Sequence, residues 1–270
     1  MPSYAVTGVS RGIGWAFLSI LSSNISNTVI ALVRNKAGTE KRVAEELPGR
    51  SNIHVLHADL TDYESLETAA AETAKITGGA LDYLIGNAAY LDVWDQFDPI
   101  GTLGKAPDAL ENHLLLNFKS NVVGQIHLFN LFIPLILRGT AKKVIAISSG
   151  HADTDFVTEY NLPNAATYAI GKAALNMAVA KFSAQYAADG VLFLAICPGM
   201  VETGHFQDLT EEQLAGAAPM FAKFQAYSST FNGPRQPEDS VNDMLNVIDN
   251  ATVEKNAGAF LSHKGNRTWL

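Results

Sequence analysis

The 270-residue sequence has a single cysteine, Cys197, and no long uninterrupted apolar segment. One cysteine excludes an intrachain disulfide and favours a reducing compartment. The longest apolar run, LFNLFIPLIL at residues 128–137, is interrupted by Asn130 and Pro134 and is too short to span a bilayer. The opening residues MPSYAVTG lack the pattern of a secretory signal, so we expect a cytoplasmic protein.

Positive charge is also scarce in this chain. It has 19 Lys and Arg against 27 Asp and Glu, a formal net charge of -8. Because binding to a polyanion needs many Lys and Arg side chains, the composition disfavours nucleic acid and membrane surfaces as partners and favours a small molecule. The seven histidines have no metal-ligand spacing such as H-x-x-x-H, and we expect no bound metal.

Short apolar or β-branched segments alternate with longer helical patterns along the whole chain. Seven segments are predicted to be strands: YAVT, TVIALV, NIHVLH, LDYLIG, KKVIAIS, VLFLAIC and GAFLS. Strands that are apolar at nearly every position are typical of a parallel sheet covered by helices on both faces. The sequence therefore predicts an α/β fold, a single-domain (1–270), Rossmann-like, doubly wound parallel sheet of about seven strands.

Helix starts and irregular stretches complete this pattern. A long helix is predicted at about residues 108–137. Residues 90–107 and 200–237 break the alternation, and long irregular segments in a compact domain usually carry function. Two residue pairs have the spacing of a capping box at a helix start: Thr61 with Glu64, and Thr210 with Gln213.

The segment TGVSRGIG, residues 7–14, joins the first predicted strand to the first predicted helix. Its glycines permit a tight turn, close approach of the backbone to a phosphate and close packing of helix on strand. The helix N-terminus adds free N–H groups and a positive dipole end, so the segment is predicted to bind a dinucleotide. The residues expected to contact this cofactor are Thr7, Gly8, Ser10, Arg11, Gly12, Ile13 and Gly14.

The segment TYAIGKAAL, residues 167–175, places Tyr168 and Lys172 four residues apart in a predicted helix. Side chains at this spacing are neighbours on one helix face. An ordinary exposed Tyr–Lys pair has the same spacing, so the spacing alone does not distinguish a surface pair from a catalytic pair.

The sequence resembles the short-chain dehydrogenases/reductases essentially from end to end. Seven landmarks occur in the family's order: TGVSRGIG, HADLTD with Asp59, GNAA with Asn87, NVVG with Asn121, ISSG, the pair Tyr168 and Lys172, and PGMVET at residues 198–203. The resemblance implies that residues 1–150 mainly bind the cofactor. Residues 151–270 would then supply the catalytic helix, a substrate lid and the C-terminal strand.

The family pattern implies roles for individual residues. Tyr168 would be the general acid/base, and Lys172 would lower its pKa from the usual value near 10 and hold the nicotinamide ribose. The backbone carbonyl of Asn121 would hold a water that links Lys172 to solvent, although Asn121 is also interpretable as an ordinary polar helix residue. Either Ser148 or Ser149 would orient the substrate oxygen. Consecutive strand residues face opposite ways, so only one of the two serines can face the site. The family favours Ser149, although the 18 residues between it and Tyr168 are more than usual.

Further cofactor contacts follow from the same resemblance. Asp59 would accept a hydrogen bond from the adenine amino group, or it is simply a turn residue at a strand end. Asn87 would steady the sheet beside the cofactor, although GNAA replaces the family's N-A-G. Gly171 is a second departure, because serine commonly precedes the lysine. The remaining expected contacts are Leu60, Pro198, Gly199, Val201 and Thr203, together with Tyr168 and Lys172.

The end of the second predicted strand, TVIALVRN, indicates which nicotinamide is used. An NAD-specific site has an acidic residue at this strand end, to bind the ribose 2′-hydroxyl. The family register places Val33 there, followed by Arg34, and Arg11 lies in the glycine turn. Two guanidinium groups suit a 2′-phosphate, so the sequence predicts NADP(H).

Aromatic and apolar residues crowd the irregular segments and the residues before the catalytic helix. They suggest an apolar site under a movable lid, although each is also explained as part of a small core beneath the lid. The wider group contains Tyr90, Phe97, Tyr160, Met220, Phe224 and Tyr227. The predicted substrate contacts are Trp94, Phe156, Met200, Phe206 and Phe221.

These features predict an NADP-dependent ketoreductase that acts on a bulky, apolar ketone, aromatic or polycyclic as in secondary metabolism. A non-redox enzyme on the same scaffold (a dehydratase, epimerase or cyclase) and a dinucleotide-binding sensor without turnover are the alternatives. The set of Ser149, Tyr168 and Lys172 favours an enzyme, since a pure binder has no need of it. The apolar runs IHLFNLFIPLIL and MAVAKFSAQY predict a homodimer or homotetramer through their helices.

Overall fold

The computed structural model of the protein describes residues 1–204 and 210–270. Its strands are β1 (Ser3–Thr7), β2 (Thr28–Val33), β3 (Ile53–His57), β4 (Tyr83–Gly86), β5 (Lys143–Ile147), β6 (Leu192–Cys197) and β7 (Phe260–Ser262). Its helices are α1 (Gly12–Ser23), α2 (Lys36–Glu46), α3 (Tyr63–Thr77), α4 (Ile100–Leu103), α5 (Pro107–Phe118), α6 (Gly124–Ile136), α7 (Thr154–Glu159), α8 (Ala166–Tyr186), α9 (Glu211–Tyr227), α10 (Pro237–Asn250) and α11 (Val253–Asn256). In this part of the chain, no helix is long and apolar enough to cross a membrane.

The strands of the described residues form one parallel sheet in the order β3-β2-β1-β4-β5-β6-β7. The chain runs outward from β1 to β3 and then returns to β4 on the other side of β1. In such sheets, ligands bind outside the carboxyl ends of the strands where the order reverses, here between β1 and β4. The predicted fold class is confirmed.

Helices cover both faces of this sheet. Five of the six residues of β2 are buried, which explains why TVIALV is apolar at successive positions. On one face the strands pack on α3, α6 and α8 through side chains such as Leu66, Phe129, Phe132 and Phe182. On the other face they pack on α1 and α10 through side chains such as Phe17, Leu18, Val241 and Met244.

The long helix predicted at residues 108–137 is two α-helices joined by a π-helical turn. Helix α5 ends at the turn Lys119–Val123, and α6 begins directly after it. The prediction of a helix is right, but the prediction of one regular helix is wrong. Single π turns are frequent at functional sites, and this one contains Asn121. The preceding stretch, residues 90–107, is irregular as predicted except for the single turn of α4.

The start of α3 lies one residue later than the capping box predicted at Thr61. Asp62 is the capping residue, and its Oδ1 accepts a hydrogen bond from the backbone N–H of Glu64 at 3.1 Å. The Thr61 hydroxyl instead donates to Asp59 Oδ1 at 2.9 Å. Aspartate caps helices at least as well as threonine, so the adjacent aspartate takes this position.

Helix α9 occupies much of the stretch at residues 200–237 that the sequence predicts to be irregular, so that prediction is wrong there. The helix begins at the predicted capping box, in which Thr210 Oγ1 accepts from Gln213 N at 3.2 Å and Gln213 Oε1 accepts from Thr210 N at 3.0 Å. Gly216 and Pro219 lie inside α9. Both residues disfavour helix, which is why the propensity of the segment conceals it.

The apolar run IHLFNLFIPLIL is used inside the protein. Most of its large side chains belong to the core beside the sheet, so the expectation that the run exceeds what one sheet face needs is wrong. The exposed apolar residues of this region lie on α5 and α8, two helices in mutual contact. They form what we call the α5–α8 apolar face: Leu115, Phe118, Ile170 and Met177.

Candidate active site

A cavity of about 800 Å³ lies at the carboxyl ends of the central strands. The glycine turn after β1 lines one end, and residues that follow β5 or belong to α8 line the other. Every residue predicted to contact the cofactor lines this cavity: Thr7, Gly8, Ser10, Arg11, Gly12, Ile13, Gly14, Arg34, Asp59, Leu60, Asn87, Tyr168, Lys172, Pro198, Gly199, Val201 and Thr203.

The turn between β1 and α1 leaves room for a ligand because it lacks side chains. Gly8 has a φ of 73°, the left-handed region that favours glycine, and a Cβ there would lie 2.9 Å from Ala88. Asn87 braces the turn: its Nδ2 donates to Thr7 O at 2.9 Å, and its backbone N–H donates to Thr7 Oγ1 at 2.9 Å. The GNAA segment therefore supports the glycine turn despite its departure from N-A-G.

The start of α1 offers hydrogen-bond donors and positive charge to a ligand. Its N-cap residue, Arg11, makes no side-chain capping bond, so the first N–H groups are left for an anion. Arg11 and Arg34 are exposed beside this turn. A third guanidinium belongs to Arg42, which lies 3.9 Å from the Trp15 ring centre and donates to Ser10 O at 2.8 Å. Arg11 and Arg34 fit a phosphorylated dinucleotide, whereas Arg42 is paired with Glu46 at 2.8 Å and braces the turn from outside the cavity.

Asp59 lies at the end of β3 and serves as a turn residue while lining the cavity. Its Oδ1 accepts hydrogen bonds from the backbone N–H and the hydroxyl of Thr61, both at 2.9 Å. The two interpretations of Asp59, as turn residue and as cofactor contact, are thus compatible.

Among the described residues, no three His, Cys, Asp or Glu side chains are grouped so as to hold a metal ion.

Tyr168 and Lys172 lie one turn apart on α8, and both line the cavity. The Lys172 Nζ is 5.6 Å from the centre of the Tyr168 ring. Lys172 is almost completely buried, and its ammonium donates to the carbonyl oxygen of Ile147, the last residue of β5, at 2.6 Å. The end of β5 therefore fixes the lysine beside the phenol.

The two candidate serines have different surroundings. Ser149 lines the cavity together with Tyr168, and its side chain acts to lower the pKa of that phenol. Ser148 Oγ donates instead to Asn176 Oδ1 at 2.6 Å, and Ser148 is buried. The structure thus brings Ser149 to the phenol. The long gap between Ser149 and Tyr168 is filled by a short 3₁₀ turn at Gly150–Ala152 and by α7.

Burial governs the protonation of this site. It raises the pKa of Tyr168 above the usual value near 10, with a smaller contribution from Cys197, and the Ser149 side chain only partly opposes this rise. Burial also lowers the pKa of Lys172 to about 8. Desolvation dominates the pKa of Tyr168 in the chain alone, and the lowering of this pKa by Lys172 stays a prediction for the cofactor-bound site. The phenol is protonated at neutral pH.

Asn121 is fully buried and does not line the cavity. Its Oδ1 accepts from Tyr90 N at 2.7 Å, and its Nδ2 donates to Tyr90 O at 2.8 Å and to Asn117 Oδ1 at 2.9 Å. The side chain thus fastens the start of the segment after β4. The packing also explains a departure from the family: a Cβ on Gly171 would overlap Asn117 Oδ1.

The start of α8 is capped from a distant loop. Asp95 is buried, and its Oδ2 accepts from the backbone N–H of Thr167 at 2.9 Å and from the Thr167 hydroxyl at 2.6 Å. The Asp95 carbonyl accepts from Ala165 N at 3.0 Å. Ala165 itself has a φ of 53°, which is unusual for a residue other than glycine. These contacts position Tyr168, the next residue after Thr167.

Two of the five predicted substrate contacts line the cavity. These two residues are Phe156 and Met200. Both also belong to an aromatic cluster above the sheet, so they serve as core and cavity wall together. Phe206 lies outside the described residues.

Two other predicted substrate contacts, Trp94 and Phe221, do not line the cavity and pack elsewhere. Trp94 stacks on His113, with 4.4 Å between ring centres and an interplanar angle of 4°. Phe221 packs against Phe224 and Phe231, at 6.5 and 6.1 Å between ring centres. Aromatic composition identifies these segments as important, but it does not say which rings turn toward the cavity.

Several other side chains complete the substrate end of the cavity. Met220 and Phe224 come from α9, and the sequence identified both only as members of a wider aromatic group. Trp269 stacks on Phe260 with 4.3 Å between ring centres, far from the other motifs in sequence. Lining residues that the sequence analysis does not single out include Leu91, Gln96, His151, Trp269 and Leu270.

Comparison with known proteins matches this architecture. The profile of a family described as "short chain dehydrogenase" matches residues 3–214. "Short chain dehydrogenase virK" of Hypocrea virens is 54% identical over 271 residues, and the alignment covers 100% of both chains. "Short-chain dehydrogenase/reductase iacC" of Pestalotiopsis fici is 50% identical over 272 residues, again over 100% of both chains.

Solved structures share the fold at lower identity. The NADPH-bound carbonyl reductase from chicken fatty liver has a TM-score of 0.77 and 24% sequence identity, and the superposition covers 98% of each chain. At this identity the likeness concerns the fold.

Proposed function

The chain belongs to the short-chain dehydrogenase family, and we propose that it uses NADPH to reduce a carbonyl group of a bulky, apolar substrate to an alcohol. One observation carries the proposal: Ser149, Tyr168 and the buried Lys172 line one cavity, with Tyr168 and Lys172 one helical turn apart on α8. This cluster lies in the same cavity as a glycine turn suited to a dinucleotide. A binding module without turnover has no physical need for such a cluster.

The chain's residues have complementary roles in this reaction. NADPH, when bound, supplies the hydride that the substrate carbon receives. The Ser149 hydroxyl donates a hydrogen bond to the substrate oxygen and holds it beside the phenol. Tyr168 donates its proton to that oxygen as negative charge develops there. Near neutral pH the phenol is protonated, so it holds the proton that reduction of a carbonyl requires.

Lys172 supports both the cofactor and the proton donor. One of its three N–H donors bonds to Ile147 O, which leaves two for the ribose hydroxyls of the cofactor and for the proton route. Its positive charge stabilises the phenolate that forms when Tyr168 gives up its proton. We assign the backbone carbonyl of Asn121 to the water that returns a proton to this pair.

The preference for NADPH rests on charge at the end of β2. Val33 stands where an NAD-specific site has an acid, and Arg34 and Arg11 flank the cavity. Arginine donates two parallel hydrogen bonds to phosphate oxygens, which fits a 2′-phosphate. The similar chicken carbonyl reductase binds NADPH, which supports the same choice here.

We also propose that the protein forms a homodimer or homotetramer through the α5–α8 apolar face. Leu115 and Met177 are 62% and 61% exposed, and Phe118 and Ile170 lie nearby on the same two helices. Burial of several such side chains favours association, at roughly 25 cal/mol per Å² of apolar surface.

The reaction is tested by measuring loss of NADPH absorbance with a panel of aromatic and polycyclic ketones. Tyr168→Phe is expected to retain cofactor affinity and to lower turnover by about 100-fold or more, because acid/base groups contribute that much. Lys172→Ala is expected to lower both the affinity for NADPH and the turnover rate. Reduction at a near-normal rate by Tyr168→Phe would contradict the assignment of the proton donor. A wild-type protein that binds NADPH but reduces no ketone in the panel favours the non-redox or sensor alternatives.

A further inference from the structure

The substrate end of the cavity combines a mostly apolar wall with a buried imidazole. Its apolar wall is lined by Phe156, Met220, Phe224 and Trp269. His151 follows Ser149 by two residues and lines the same wall. The reaction proposed above gives this imidazole no role.

Contacts on two sides hold the His151 ring in place. It meets Phe156 edge to face with 6.5 Å between ring centres, and Phe224 with 5.9 Å. The His151 backbone N–H donates to Ser149 Oγ at 3.3 Å. The ring is therefore fixed relative to the serine that orients the reacting carbonyl.

The surroundings of the two ring nitrogens determine what His151 offers to a ligand. Nδ1 is buried and has no hydrogen-bond partner in the described part of the chain, which leaves Nε2 as the nitrogen that reaches the cavity. A proton on Nδ1 would create a buried, unpaired N–H, which folded proteins rarely contain. The favoured tautomer has its proton on Nε2, where a ligand accepts the hydrogen bond.

We propose that His151 is a specificity-determining residue whose Nε2–H donates a hydrogen bond to a second, neutral oxygen acceptor of the substrate. This inference rests on the proposed function, which places the carbonyl under reduction at Ser149 and Tyr168. The substrate class is thereby narrowed to flat, apolar ketones that carry a further ether, ester or carbonyl oxygen.

A neutral acceptor suits this wall better than a charged one. Burial lowers the pKa of His151 to about 4, so the ring is uncharged at neutral pH and offers no cation to a carboxylate. A carboxylate among these aromatic rings would lose its hydration without gaining an opposite charge, whereas an ether or carbonyl oxygen loses less.

The experiment compares matched ketones in three proteins. The substrates are α-tetralones with a methoxy group at successive positions of the aromatic ring. Each is paired with the tetralone that has an ethyl group at the same position, which has a similar shape and no acceptor. The proteins are the wild type, His151→Phe, which keeps a ring without a donor, and His151→Asn, which keeps a donor.

We expect the wild type to show a higher kcat/KM for methoxy than for ethyl at one ring position or more. His151→Phe should reduce the ratio of kcat/KM for methoxy to kcat/KM for ethyl by about five- to tenfold, the size of one neutral hydrogen bond. His151→Asn, which keeps a donor, should show a methoxy preference between that of His151→Phe and that of the wild type. Absence of a methoxy preference in the wild type, its persistence in His151→Phe, or an equal loss for both members of each pair would overturn the proposal.

A binding measurement separates this proposal from the proposed function. Trp269 lines the cavity, so binding of the same compounds is followed by quenching of tryptophan fluorescence. If the wild type reduces none of the ketones but binds methoxy over ethyl in a His151-dependent way, the reductase assignment fails and the subsite stands. If binding shows no such dependence, the subsite is refuted whatever the rate of reduction.

Discussion

The proposed preference for NADPH rests on single residues at the end of β2. The buried Val33 offers neither charge nor a hydrogen bond, whereas the next residue, Arg34, is exposed and lines the cavity. Arg42 holds the backbone of Ser10 and approaches the same turn from α2. With the guanidinium groups of Arg11 and Arg34 beside the turn, this end of the cavity suits the extra phosphate of the proposed cofactor NADPH.

Arg34→Asp is expected to weaken NADPH binding by about 2 kcal/mol or more and to leave NADH binding unchanged or improved. The substitution removes a charged hydrogen bond and adds repulsion to the 2′-phosphate. Dissociation constants for both cofactors, measured by calorimetry, provide the check. Lys41→Asp, the same charge change at an exposed position of α2, serves as the control. Equal kcat/KM for NADPH and NADH in the wild type would refute the preference.

Some residues of the site are identifiable from local sequence and others are not. The glycine turn, Tyr168 and Lys172 were identifiable because their chemistry depends on fixed local spacing. Local sequence does not reveal that His151 lines the cavity and Trp94 does not. Trp94 lies in an aromatic segment and stacks outside the cavity, whereas His151 lies in no motif and lines it. Orientation of a loop side chain depends on tertiary packing, which local sequence does not encode.

At the scale of elements, the contact between α5 and α8 depends on Gly171. A Cβ at this position would overlap Asn117 Oδ1, which accepts a hydrogen bond from Asn121 Nδ2 at 2.9 Å. Asn121 in turn holds both backbone groups of Tyr90. The glycine therefore allows the catalytic helix to pack directly on the network that fixes the segment after β4.

Gly171→Ser, which installs the residue common in the family, is expected to lower the free energy of unfolding by about 1 kcal/mol. Displacing Asn117 leaves a buried amide unpaired, at roughly 1–3 kcal/mol, and removal of a helical glycine offsets part of this. Chemical denaturation of both serine variants, Gly171→Ser alone and combined with Asn117→Ala, tests the account. In the Asn117→Ala background the serine should be neutral or stabilising. An equal loss in both backgrounds would show that the overlap is not the cause.

Helices and strands were predictable to different degrees for physical reasons. Each of the seven predicted strand segments contains a strand, because a parallel sheet buried on both faces needs continuous apolar runs. The start of α9 is predicted by the capping box of Thr210 and Gln213, but its length is not, because Gly216 and Pro219 lower the helix propensity of the segment. The π turn at Lys119–Val123 was missed because nothing in its composition distinguishes it from the helices on either side.

For the whole molecule, the α5–α8 apolar face predicts self-association. Light scattering at micromolar concentration should give twice or four times the monomer mass for the wild type. Leu115→Glu and Met177→Glu should each shift the protein toward the monomer, because a carboxylate on a buried interface loses its hydration. Ile25→Glu, at an exposed isoleucine after α1, is the control and should not change the mass. A monomeric wild type would contradict the proposed assembly.

Stability of the whole molecule should fall as the solution is acidified from pH 7 to 5. Burial lowers the pKa of His151 to about 4, and burial together with the charge of Arg235 lowers that of His263 to about 4. In the unfolded chain both titrate near 6.5. Between these values the unfolded state binds more protons, so protonation favours unfolding, at up to roughly 1.4 kcal/mol per pH unit for each histidine.

The prediction is measured as the Tm of the wild type and of His151→Asn, His263→Asn and the double variant across this pH range. Each single substitution should remove part of the fall in Tm, and the double variant should remove most of it. Carboxyl groups titrate near pH 4 and contribute little above pH 5, so the window isolates the histidines. If the double variant loses as much Tm as the wild type between pH 7 and 5, these two buried rings are not the groups responsible.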